Sequence, residues 1–197
     1  MQYAVKTVSG TPDWAIIPRA DIASYRWLSG YEPKAYGQVA LGSDRLFLRL
    51  VCHEKNPRIT FTEPGSLVCQ DSCLEFFFSL NDANTYINLE FNAGGCYFST
   101  IGTSRYDRVF IKPFEHEGPT AHVESDRWEI TATVLYSQLC ELFGCEGIDR
   151  MRGNFFKCGD HTEHPHYGMW SASLTDTPDF HQSKYFGDLI PESPVRF

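Results

Sequence analysis

The sequence is short of positive charge. Seventeen Lys and Arg stand against 25 Asp and Glu, a formal net charge of -8, and the isoelectric point is near 5.3. Phosphate backbones are held by clustered Lys and Arg. The nearest approach to a cluster, Arg105 to Arg108, is interrupted by Asp107, so no nucleic-acid partner is expected. Long apolar runs are missing too. No stretch approaches the roughly 20 residues that a membrane helix needs, and no membrane partner is expected. Met1 to Lys6 lacks the basic start and apolar centre of a signal peptide. The seven cysteines (52, 69, 73, 96, 140, 145 and 158) are odd in number and contain no CxxC pair. They read as small buried residues of a reducing compartment rather than a disulfide framework, which favours a cytoplasmic location.

What is present is globular. Hydrophobic residues make up 42% and charged residues 21% of 197 positions, too apolar for a disordered chain. A chain of this length suits one domain over 1–197 that buries about 70% of its unfolded surface. Fifteen Phe and ten Tyr favour strands. Residues 1–35 read as an entry strap packing on the domain, irregular from Gly10 to Tyr36, with Trp14 and Trp27 sealing an edge.

Beyond the strap the pattern is period-two alternation. Arg45–Cys52 puts Leu46, Leu48 and Leu50 on one face; Cys73–Ser79 does the same with Leu74, Phe76 and Phe78. In Tyr86–Asn92, Ile87, Leu89 and Phe91 point one way and Tyr86, Asn88, Glu90 and Asn92 the other. Ala93-Gly-Gly95 turns the chain into Cys96–Ile101, and Arg127–Val134 buries Trp128, Ile130, Ala132 and Val134. Such alternation places one face in a core and the other in solvent. Late strands are expected at Asn154–Cys158 and Tyr167–Ser171. One short helix is expected at Gln138–Phe143, capped by Ser137 and stopped by Gly144. The expected fold is all-β: an antiparallel two-sheet β-sandwich, jelly-roll-like, with one short helix.

An ordered set of segments carries a resemblance. Asp71-Ser-Cys-Leu-Glu-Phe-Phe-Phe78, Tyr86–Asn92 with Gly94-Gly95, Trp128-Glu-Ile130, Asn154–Asp160, Pro165–Trp170, Pro178–His181 and Phe186-Gly187 resemble the family 9 carbohydrate-binding modules over roughly residues 20 to 190. The resemblance implies a β-sandwich that binds carbohydrate in a shallow slot, often with structural calcium. It places a slot glutamate at Glu75 and one clamping aromatic ring at Phe180. The partner ring of that clamp has no counterpart in Leu67–Gln70, and the basic residue of the next strand is replaced by Glu90.

The residues themselves suggest four kinds of chemistry. Glu75, Asn88, Glu90 and Asn92, held on strands, can satisfy sugar hydroxyls, while Phe180 or Trp170 stacks on a pyranose face and His166 adds a hydrogen bond. The same polar strand residues also fit a solvated outer sheet face. Cys158, His161, His164 and His166 offer imidazole and thiolate ligands for a transition metal, as in a metal-dependent hydrolase, though in no standard zinc spacing. Glu75 and Glu90 on adjacent strands have the carboxylate pairing of a glycosidase. Asp13, Asp21, Asp71, Asp82 and Asp126 offer oxygens for calcium, in no recognisable loop rhythm. The sequence therefore points to a non-catalytic domain whose partner is a poly- or oligosaccharide. Its alternatives are a metal-dependent hydrolase built on the Cys158–His166 loop, or a sandwich that has lost sugar and binds protein.

Overall fold

The computed structural model describes residues 1–27, 30–114 and 117–197. Strands run in the order β1 (Gln2–Thr7), β2 (Ala20–Ile22), β3 (Ser24–Trp27), β4 (Lys34–Leu41), β5 (Arg45–His53), β6 (Cys73–Leu80), β7 (Tyr86–Asn92) and β8 (Tyr97–Gly102). They continue with β9 (Arg108–Phe110), β10 (Thr120–Val123) and β11 (Trp128–Leu135). Helix α1 (Tyr136–Phe143) follows, then β12 (Gly147–Ile148), β13 (Met151–Cys158), β14 (Tyr167–Met169), β15 (Gly187–Pro191) and β16 (Val195–Arg196). No helix among the described residues is long and apolar enough to cross a membrane.

One sheet has the order β15-β13-β6-β7-β8-β9, with β14 also beside β13 and β3 beside β14. The other is β10-β11-β5-β4, with β2 beside β4. Strand β1 joins the two. Gln2–Val5 pairs with β15 and Lys6–Thr7 with β4, both in parallel. The sandwich is therefore mixed rather than wholly antiparallel. The expected strap is also more regular than its sequence suggests, since it supplies β1, β2 and β3; residues 28 and 29 lie outside the described residues. Strands β2 and β3, of three and four residues, leave too few alternations to read, and β1 pairs with β15 at the far end of the chain and with β4.

Between the sheets lies the main core, with Leu46, Leu48, Leu50, Leu74, Phe76, Phe78, Ile87, Leu89, Phe91, Trp128, Ile130 and Val134 all buried. Strand β11 alternates buried and half-buried along its length. Strands β6 and β7 do not: every residue of both is buried. A second apolar cluster covers their outer face, in which Phe77, Tyr86, Phe156 and Met169 pack under Trp27, Val68, Phe180 and Phe186. The loops carrying these lids are long-range in sequence, so the outward face that alternation assigns to solvent is enclosed.

Helix α1 begins two residues earlier than expected, at Tyr136. Its N-cap is Leu135, whose N–H is accepted by Gln138 Oε1 at 3.3 Å, and Ser137 lies inside the helix. Gly144 ends it as expected, at φ 62° with its N–H bonded to Cys140 O. A left-handed residue at that position satisfies a terminal carbonyl.

Candidate pocket on the outer sheet face

Strand register builds the site. Glu75 on β6 is paired directly with Glu90 on β7. Phe156 on β13 stands beside Glu75, and Phe98 on β8 beside Glu90. Paired residues project to the same face, so a row of Phe98, Glu90, Glu75 and Phe156 crosses four strands. Phe180 stacks on Phe156, with ring centroids 4.2 Å apart at 17°. The result is a carboxylate floor between aromatic ends. The cavity above it holds about 190 Å³ and is also lined by Leu67, Cys69, Cys158, Asp160, Tyr167, Pro178 and His181. Arg105 and Arg108 stand at its edge; Arg105 Nε lies 3.6 Å from Asp179.

Burial controls the charges. Both floor carboxyls are almost wholly enclosed. Burial pushes Glu75 well above the usual carboxylate range; the charge of Glu90 adds to this, and the Cys158 thiol, donating to Glu75 Oε1 at 3.0 Å, opposes it. Burial likewise raises Glu90 to about 7, opposed by the Arg108 guanidinium and by the Asn88 amide, which donates to Oε1 at 2.6 Å. Two facing carboxylates in a dry site resist double ionisation. The pair therefore retains a proton at neutral pH and offers donor and acceptor together.

His181 is held by geometry as well. Arg108 Nη1 donates to its Nε2 at 3.1 Å, which leaves Nδ1 as the protonated nitrogen facing Tyr86 Oη at 2.9 Å. Burial, then the charges of Arg108 and Arg105, lowers its pKa to about 3, so it is neutral. Asp160 is raised by burial, partly offset by a hydrogen bond from Tyr167.

The other sequence-derived candidates part company here. Asn88 is buried beside the floor, two residues along β7 from Glu90 and on the same face. Thr100 Oγ1 donates to its Oδ1, and its amide positions Glu90. Asn92 is spent within the protein. Its amide donates to Phe61 O and Asp71 Oδ2, and its Oδ1 accepts from the Gly94 and Cys96 N–H groups. Trp170 belongs to the inter-sheet core, edge-on to Tyr3 and Phe155, on the opposite side of the sheet from Met169. His166 is fully buried on the opposite side of β13. It accepts from Lys157 Nζ at 2.8 Å through Nε2 and donates to His164 O through Nδ1. Burial and the Lys157 charge lower it to about 4.

The histidine loop does not gather into a metal site. His161 and His164 are exposed, His166 is enclosed, and Cys158 faces the pocket. Asp13, Asp21, Asp71, Asp82 and Asp126 form no three-carboxylate cluster among the described residues. The buried Asp71 carboxylate accepts instead from Thr60 N, Phe61 N and Asn92, with Arg58 Nε 3.4 Å away. Arg105, Arg108, Asp160, Tyr167 and His181 were not legible as site residues. They sit on loops and short strands far apart in sequence, and no motif joins them.

Carbohydrate-binding family 9 matches residues 12–190. The chain belongs to that family. A structure of a candidate carbohydrate-binding protein from Bacteroides uniformis ATCC 8492 is 23% identical with a TM-score of 0.83, covering 97% of this chain and 99% of that one. A family 9 module from Caldicellulosiruptor kristjanssonii in complex with glucose is 10% identical with a TM-score of 0.62, covering 98% and 96%. Its complex with cellotriose gives 0.61 at 10% identity, covering 98% and 94%. At these identities the structures share the fold. None of the curated proteins matches.

Proposed function

We propose that this family 9 domain is a non-catalytic carbohydrate-binding module whose ligand is a short or terminal sugar seated in the pocket of Phe98, Glu90, Glu75 and Phe180. The observation that carries this reading is the row itself: a hydrogen-bonding floor between aromatic walls. Phe98, Tyr167 and Phe180 supply area for the apolar face of a pyranose. Glu75, Glu90, Asp160 and the two arginines supply donors and acceptors for its hydroxyls. The structural relatives in complex with glucose and cellotriose support a glucosyl ligand as the first to try. Tyr167 and Phe98 stand in for the clamping ring missing from Leu67–Gln70, and Arg108, arriving from β9, supplies the cation that Glu90 displaces.

Binding rather than hydrolysis is supported by the match to carbohydrate-binding family 9 over residues 12–190. Affinity in the high micromolar to millimolar range, about -4 to -6 kcal/mol, is expected of such a small site. Calorimetric titration with glucose, cello-oligosaccharides and a wider glycan panel tests the reading. Saturable binding that Phe98→Ala weakens about tenfold supports it. A panel with no binding to any sugar, or turnover of an aryl glycoside, overturns it.

A further inference from the structure

Cys73 on β6 is register-paired with Cys158 on β13, and Glu75 is two residues along β6 on the same face. The two thiol sulfurs and a Glu75 oxygen all lie within 4.8 Å of one another, and all three residues are buried. Cys158 Sγ is already 3.0 Å from Glu75 Oε1. Both cysteines are free thiols. Cys158 and Glu75 border the pocket, so the cluster has an entry path.

We propose that Cys73, Cys158 and Glu75 form a three-ligand site for a thiophilic divalent cation, zinc foremost, at the foot of this pocket, with the fourth coordination position facing the cavity. The donor set decides the class of ion. Two sulfurs and one carboxylate oxygen suit zinc and its soft analogues, while calcium and magnesium take oxygen alone. The geometry needs little change. Two sulfurs at about 2.3 Å from a tetrahedral ion are roughly 3.8 Å apart, so the widest pair here closes by at most about 1 Å. Rigid adjacent strands hold the ligands, and three protein ligands with one open position is the arrangement of an accessible site. The inference does not rest on the pocket's holding a sugar.

The test is cobalt(II) titration of the purified metal-free protein, with the metal alone as probe. One equivalent of cobalt, giving tetrahedral visible bands and a sulfur-to-cobalt charge-transfer band, is expected. Cys158→Ser should bind at least tenfold more weakly and keep about half of the charge-transfer intensity, while His164→Ala keeps the wild-type affinity and the full band. X-ray absorption of the zinc-loaded wild type needs no variant and should show two sulfur neighbours at about 2.3 Å. Failure to bind cobalt or zinc, or an ion with no sulfur neighbour, overturns the site, as does a charge-transfer band that survives in Cys73→Ser/Cys158→Ser. Sugar titrations run with and without metal keep the two readings apart, because either can fail with the other intact.

Discussion

Glu75 and Glu90 face each other across adjacent strands, each enclosed, each bonded to a neutral donor: the Cys158 thiol for one and the Asn88 amide for the other. Their arrangement is a consequence of the loops that roof the sheet. An open sheet face would leave both ionised in water.

That pair makes stability depend on pH with a definite sign. Glu90 is raised from 4.5 to about 7 in the folded protein. Between those values the folded state binds more protons than the unfolded chain, so the Glu90 contribution falls as pH rises and is constant above about 7. Glu90→Gln removes this cost. The variant should match wild type near pH 4.5 and exceed it above pH 7, by a few kcal/mol at most. Denaturant unfolding at several pH values checks it; a pH-independent difference would show that Glu90 does not titrate there.

The two enclosed histidines act in the opposite sense. His166 and His181 are lowered to about 4 and about 3. Their stabilising contribution is present above the unfolded value near 6.5 and is lost as pH falls through the folded values. His181→Gln should therefore flatten the loss of stability below pH 6, read as melting temperature against pH.

Lys157 is the one buried ammonium among the described residues, lying 3.3 Å from Glu54, 2.8 Å from His166 and 2.9 Å from Cys158 O. Glu54 also accepts from Ser72 Oγ and Trp128 Nε1, each at 3.0 Å. Lys157→Met leaves that carboxylate enclosed without its cation and should cost about 3–5 kcal/mol. Adding Glu54→Gln should recover most of the loss. Urea denaturation of the two variants measures the coupling.

Asn92 and Trp170 should prove to be fold residues. Asn92→Ala strands the partners of four hydrogen bonds and should cost about 2–4 kcal/mol. Trp170→Phe should lower stability through its contacts with Tyr3 and Phe155. Neither should change sugar affinity more than twofold in titrations at temperatures where both variants are folded.

The inter-sheet core could be read directly because its strands repeat: Leu46, Leu48 and Leu50, or Ile87, Leu89 and Phe91, declare their shared face by period alone. Strands β5, β6, β7, β11 and β13 were legible to within a few residues for that reason. The three-residue strands and the parallel pairings of β1 were not, since pairing partners at the two ends of the chain leave no local mark. The pocket was legible only in part. Glu75, Glu90 and Phe180 reach it, whereas Asn88, Asn92, His166 and Trp170 were assigned by parity or proximity and are committed elsewhere.

The sequence alone determined an aromatic, acidic, β-rich chain with one alternating core and the segments of a carbohydrate-binding family. Local spacing suffices for these, because side-chain period and chain order are properties of the string. Tertiary structure decided which polar face is roofed, that Glu75 and Glu90 are enclosed together, and that Cys73 and Cys158, 85 positions apart, share one face with Glu75. Register and enclosure arise from contacts between distant segments, and the local pattern around each residue holds no record of them.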